Sequence, residues 1–216
     1  MIGRKRGSEG AGYREKCYRC YRPKSTCMCS HIVKMQTKTK FVILMHSKEF
    51  KKIKNGTGHF SHLSLENSEL FVGIDFSDNR RIWEIVEDEN NNCFVLYPSK
   101  KSRPLNTTDI YHDKRQTVIF LIDSTWACAK KIMRVSQNIT NLPHISFYHD
   151  RVSAFHIKEQ PAAICLSTME SIHCVLEILN AQEKEQIPKE KMENFLNPFH
   201  EMVAYQMQFT RELHGD

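Results

Sequence analysis

A chain of 216 residues, 40% hydrophobic and 26% charged, can bury one substantial core and is expected to form one main domain with at most a small appendage. Its formal net charge of +6 favours a polyanionic partner, although a merely solubilising basic surface explains the same excess. The longest apolar runs, Phe41–Met45 and Val118–Ile122, are far below the roughly 18 residues of a membrane span, and the basic start (Arg4, Lys5, Arg6) offers no signal-peptide core, so a cytosolic protein is expected.

The positive charge gathers early, at Arg14, Lys16, Arg19, Arg22 and Lys24 and then at Lys48, Lys51, Lys52 and Lys54. Four of the eight cysteines stand in the same stretch, as Cys17-x-x-Cys20 and Cys27-x-Cys29 with Pro23 in the loop between them. Four thiolates are what a closed tetrahedral zinc site requires, and such a site has no open position for catalysis. A structural zinc is therefore expected, with iron–sulfur ligation or a partly reactive thiol pair as competitors and His31 as a spare ligand. The basic residues around the knuckle make it a candidate RNA-contacting platform. Cys93, Cys128, Cys165 and Cys174 sit singly in apolar stretches and read as small buried hydrophobes.

Farther along, Phe41–Met45, Leu70–Ile74, Cys93–Tyr97, Val118–Ile122 and Ile145–Tyr148 are short and rich in Val, Ile, Phe and Tyr, and they predict strands. Near-continuous apolar strands separated by helical patterns such as Trp126–Val135 predict an α/β fold with a mostly parallel sheet covered on both faces. The acidic, asparagine-rich stretch from Glu87 to Asn92 reads as a surface turn. Two helical stripes close the chain, one at Ile172, Val175, Leu176 and Leu179 and one at Phe195, Phe199, Met202 and Val203. The polar segment Ala181–Pro188 should link them.

The most informative tetrapeptide is Asp123-Ser124-Thr125-Trp126, at the end of the strand Val118–Ile122 and before a helix with Lys130, Lys131 and Arg134. In an open α/β sheet, ligands bind outside the carboxyl ends of the strands, where these residues should lie. The plainer alternative is that Asp123 or Ser124 caps the helix while Trp126 packs. Other strand ends also carry distinctive residues: Met45-His46 with Glu49, the turn-prone Asn55-Gly56-Thr57-Gly58, and Tyr97-Pro98-Ser99. Arg151-Val152-Ser153 and Gln160-Pro161 come later, before Leu166-Ser167-Thr168-Met169-Glu170. There Ser167 and Glu170 fit a capping box, at a helix start whose amides could also receive a ligand carboxylate.

Taken in order, these pieces resemble the DTW-domain family, named for the Asp-x-Thr-Trp signature, and the resemblance covers nearly the whole chain. Lys54 departs from it, standing where the family often has threonine. The resemblance implies an N-terminal segment (1–35) with the cysteine knuckle and a SPOUT-like α/β catalytic domain (36–216) with a C-terminal knot. It also implies transfer of the 3-amino-3-carboxypropyl group of S-adenosylmethionine to N3 of a tRNA uridine, releasing methylthioadenosine. Tyr97, Pro98, Ser99, Leu121, Asp123, Ser124, Thr125, Trp126, Leu166, Ser167 and Thr168 would then line the S-adenosylmethionine site, with Asp123 and Trp126 as catalytic candidates.

Alkylation at N3 needs a base to remove the uracil proton but no leaving-group acid, because the sulfonium leaves as a neutral thioether. Asp123 is the candidate base. An ordinary aspartate, with a pKa near ~3.9, is weak for this task, so burial against Trp126 or late proton transfer is expected to assist. Trp126 could stack a flipped base or wall the cofactor pocket. Arg103, Lys130, Lys131 and Arg134 are candidate phosphate contacts. Competing readings are a related ribosomal-RNA aminocarboxypropyl- or methyltransferase and a zinc-bearing RNA-binding protein without catalysis.

Overall fold

The computed structural model describes residues 15–51, 56–111, 113–154 and 165–214, the side chains of 209–214 excepted. Two apolar runs form the middle of a six-stranded sheet, as β1 (Lys40–His46) and β5 (Gln116–Asp123). On one side β1 pairs with β2 (Ser68–Gly73). On the other, β5 pairs with β3 (Asn91–Leu96), followed by β6 (His144–Ser146) and β4 (Arg103–Pro104), and every pairing is parallel. Five strands fall where the apolar runs predict them. The sixth, β4, is two residues long and contains Pro104, which lacks an amide donor and is tolerated at a sheet edge.

Alternation along the strands explains why the apolar runs are unbroken. Phe41, Ile43, Ile119 and Leu121 face one layer, built from α2 (Thr57–Ser64), α6 (Thr168–Ala181) and α8 (Asn197–His214). Val42, Leu44, Val118 and Phe120 face the other, where Ile82 and Ile85 of α3 (Arg80–Glu87), Ile132 and Met133 of α4 (Trp126–Val135) and Ile139 of α5 (Gln137–Thr140) complete the core. Both faces are dry, so a one-residue slip of β1 or β5 would exchange two packed surfaces.

The helical predictions hold in detail. α4 spans the predicted residues, with Ala129, Ile132 and Met133 buried and Lys130, Lys131 and Arg134 exposed. The predicted stripes of the last helices are buried, although Phe195 lies past the end of α7 (Lys189–Asn194), leaving Phe199, Met202 and Val203 on α8. The link between α6 and α7 does more than connect. Buried Glu185 accepts from the amides of Lys38 and Thr39 at 2.9 and 2.7 Å and from the Thr39 hydroxyl at 2.6 Å, fastening the linker to the start of β1. Asp88 caps α3 at the predicted surface turn and accepts from the Asn90 amide at 2.9 Å.

One local expectation is corrected. Gly56 is the N-cap of α2, and Thr57 and Gly58 belong to its first turn rather than to a loop. Asn55, Lys52, Lys54, Arg14, Gln160, Pro161 and the chain before residue 15 lie outside the described residues, as does the stretch 155–164, so the topology described here does not reach the expected knot. Among the described residues no helix is long and apolar enough to cross a membrane.

Candidate functional site at the carboxyl edge of the sheet

Parallel pairing brings the ends of β1, β5 and β3 to one edge, with Met45 opposite Asp123 and Leu96 opposite Leu121. Asp123 follows the register of Ile119 and Leu121 and faces the α2–α6 layer, where it is buried. The Thr168 hydroxyl, at the start of α6, donates to its Oδ1 at 2.6 Å. Gly58 of α2 stands against the other side of the carboxylate, so close that a Cβ there would lie 2.6 Å from Asp123 Cγ. Two helices and one strand end therefore fix a single carboxylate. Neither Asp123 nor Ser124 caps α4: Thr125 occupies the N-cap without a side-chain cap bond, and the Ser124 hydroxyl donates to the Thr125 carbonyl at 3.1 Å.

Ser167 and Glu170 form the predicted capping box. The Ser167 amide donates to Glu170 Oε2 at 2.7 Å and the Glu170 amide to Ser167 Oγ at 3.3 Å. Glu170 also accepts from the Ser153 hydroxyl at 2.7 Å and the Ala154 amide at 2.8 Å. The carboxylate therefore joins the Arg151-Val152-Ser153 segment to the helix that carries Thr168, a role the capping pattern alone does not reveal.

The other side of the edge is aromatic. Tyr97, after β3, packs with the α3–α4 layer, and its ring lies 6.5 Å from Trp126 and 6.0 Å from His144. Ser99 Oγ is 2.9 Å from His144 Nδ1. Trp126 is 40% exposed, and the contacts seen at the Asp123 carboxylate are those of Gly58 and Thr168. Tyr97, Pro98 and Ser99 follow β3 and Ser124, Thr125 and Trp126 follow β5 at this edge, while Leu121 of β5 faces the α6 layer and Leu166, Ser167 and Thr168 lead into α6. The exposed indole and the half-buried phenol beside it offer the π faces that an adenine ring or a sulfonium cation needs.

His46, at the end of β1, is buried, and its Nδ1 accepts from the Lys48 amide at 3.0 Å. Burial, with help from Lys48 and Lys131, holds its pKa below the usual histidine value and keeps it neutral. Of the candidate phosphate contacts, Lys130, Lys131 and Arg134 share the exposed side of α4. Arg103 is exposed on the outermost strand, with β3 and β6 between it and β5.

The knuckle is built as the spacing predicts. The sulfurs of Cys17, Cys20, Cys27 and Cys29 lie within 4.8 Å of one another, and the pairs Cys17–Cys29 and Cys20–Cys27 are each 3.7 Å apart. A tetrahedral zinc with Zn–S bonds of about 2.3 Å has sulfur–sulfur edges of about 3.8 Å, so the donor set fits the metal. His31 is not part of the group. The backbone amides of Cys20 and Arg19 hold the Cys17 thiol down at about 6, while burial pushes Cys20 and Cys29 up. The segment is no loose appendage, because Cys20 and Met28 belong to the same core cluster as Phe60 of α2 and Phe199 of α8. Of the remaining cysteines Cys174 is buried, the other three are half-buried, and none forms a disulfide.

A parallel sheet covered on both faces, with a buried carboxylate and an exposed indole at its carboxyl edge and a four-cysteine knuckle near its N-terminus, makes this an α/β protein whose distinctive side chains gather where such sheets bind ligands. The profile of the DTW domain matches residues 14–207, and the chain belongs to the DTW-domain family. It is 29% identical to the tRNA-uridine aminocarboxypropyltransferase 2 of Drosophila melanogaster over 90% of this chain and 76% of that protein. It is 26% identical to the protein of the same name from Mus musculus, over 95% of this chain and 68% of that one. No solved structure matches the chain.

Proposed function

We propose that this protein transfers the 3-amino-3-carboxypropyl group of S-adenosylmethionine to N3 of a uridine in tRNA, within a SPOUT-like, knotted fold and in the cytosol. The observation that carries the reading is the buried Asp123 carboxylate held by Thr168 and Gly58, in a family whose relatives bear the name of this activity. S-adenosylmethionine supplies a methylene carbon activated by the adjoining sulfonium. Tyr97, Pro98, Ser99 and Trp126 would hold it from the aromatic side and Leu121, Leu166, Ser167 and Thr168 from the α6 side.

Asp123 accepts the N3 proton, and the nitrogen lone pair so freed forms the new N–C bond as the C–S bond breaks. The sulfur keeps that bond's electron pair, so methylthioadenosine departs neutral and needs no acid. Thr168 orients the carboxylate, and the close backbone of Gly58 keeps water from its other side. General-base catalysis of this kind contributes about 10²–10⁴-fold, with positioning supplying more. Zinc in the knuckle keeps the N-terminal segment folded, and Lys130, Lys131 and Arg134 hold phosphates.

Incubation of the purified protein with S-adenosylmethionine and unmodified tRNA tests the proposal. Mass spectrometry of the nucleosides should find aminocarboxypropyluridine, in amounts matched by methylthioadenosine. A methylated nucleoside, modification of ribosomal RNA alone, or RNA binding without methylthioadenosine release would overturn it.

A further inference from the structure

A shallow, open cleft lies between the cysteine knuckle and the first turns after β1, lined by Cys20, Tyr21, Met45, Phe50, His59 and Phe60, with Gly56 and Glu49 at its wall. Met45 is the strand neighbour of Asp123 in the parallel β1–β5 register, and the α2 turn that walls the cleft is the one that presses Gly58 against the Asp123 carboxylate. The cleft and the carboxylate are therefore two sides of one helix start.

Tyr21 draws attention to the cleft. Its φ of 57° lies in the left-handed region, which is costly for a bulky side chain. That conformation holds the ring 43% exposed, 5.2 Å from His59 and 6.3 Å from Phe50. The His59 ring is itself fixed, its Nε2 donating to the Arg19 carbonyl at 3.0 Å. Phe50 is 40% exposed and Tyr18 is 92% exposed. Along the chain these rings alternate with the exposed cations Lys16, Arg19, Lys48 and Lys51. Of the nearby acids, Glu15 is paired with Lys24, and Glu49 lines the wall. Aromatic faces interleaved with cations along an apolar cleft are the recognition chemistry of single-stranded nucleic acid, because every base has a face to stack and every phosphate a charge to neutralise. An RNA strand uses both at once, a base on each ring and a phosphate at each cation.

We infer that this cleft stacks a nucleobase of the RNA strand that carries the target uridine, turned out of its own stack against Tyr21 and Phe50. The inference rests on the proposed tRNA activity and locates the side of Asp123 from which the RNA arrives, opposite the Tyr97–Trp126 face.

The test uses the zinc-loaded full chain. Tyr21→Gly removes the ring at a position whose backbone glycine adopts freely, so its thermal midpoint should equal or exceed that of the wild type. Its affinity for a single-stranded oligouridylate and for unmodified tRNA should weaken on the order of tenfold, with S-adenosylmethionine affinity unchanged. Phe50→Ala, on an exposed ring, should weaken RNA binding in the same direction. RNA affinity equal to the wild type in both variants overturns the inference, as does an equal loss of S-adenosylmethionine affinity. If the wild type modifies no tRNA while the variants still lose oligouridylate affinity, the stacking cleft stands and the proposed activity falls.

Discussion

Thr168, the first residue of α6, donates its hydroxyl to Oδ1 of Asp123 at 2.6 Å. The two residues are 45 positions apart in the chain, and their contact ties the strand end that bears the carboxylate to the helix start expected beside the cofactor. Hydrogen bonds to charged groups contribute about 1.5–3 kcal/mol. Thr168→Val keeps the shape and loses the donor, so the protein should stay folded and single-turnover transfer should fall on the order of tenfold. Gly58→Ala drives a methyl group into the same carboxylate. It should cost about 1–3 kcal/mol by denaturant titration and reduce transfer further. Unchanged transfer in both variants would mean that the placement of Asp123 does not matter.

The knuckle makes a prediction about charge. Arg22 is only 3% exposed, its guanidinium lies 5.6 Å over the Phe60 ring, and its Nε and Nη1 have no hydrogen-bond partner among the described residues. A divalent metal held by four thiolates carries a net negative charge, which is the counter-charge this buried cation lacks. Elemental analysis should find about one zinc per chain. Arg22→Met should surrender it to a chelator at a lower concentration than the wild type does. Iron, or no metal, would contradict the zinc assignment without touching Asp123.

Acid should destabilise the protein through its buried histidines. Burial lowers the pKa of His46 and of His173 below the ordinary 6.5. The unfolded chain therefore binds more protons than the folded one in the window below about 6.5, and folding stability rises with pH through it. The stabilisation is complete above that value and is lost as pH falls through the folded-state pKa of each ring. Denaturant midpoints measured from pH 7.5 to 5 at constant zinc content should fall toward acid, and His46→Gln with His173→Gln should flatten the slope. An unchanged slope in the double variant would mean that these rings titrate alike in the folded and unfolded chain.

Much of this was legible in the sequence because it rests on local patterns. The apolar runs at Phe41–Met45 and Val118–Ile122 required burial on both faces, the cysteine spacing required a common centre, and Ser167 with Glu170 announced a helix start. What sequence reasoning missed is tertiary. Nothing near Gly58 says that its missing side chain makes room for Asp123, which is why a turn was expected where α2 begins. The division between Asp123 and Trp126 is tertiary as well. The strand register directs residue 123 to the α2–α6 layer, whereas Trp126 starts a helix whose buried residues pack on the other face. The two-residue β4 had no periodicity to detect, and the strain at Tyr21 is a backbone property that composition does not show.

The central claim is that the Asp123 carboxylate takes the N3 proton, and single-turnover transfer by Asp123→Asn tests it most directly. Asparagine keeps the size of the side chain and can still accept the Thr168 hydroxyl, and position 123 caps no helix, so the variant should fold and bind both S-adenosylmethionine and tRNA as the wild type does. Transfer should fall by about 10²–10⁴-fold, because an amide cannot accept the proton. A rate within a fewfold of wild type would contradict the account, and so would a loss explained entirely by weakened S-adenosylmethionine binding.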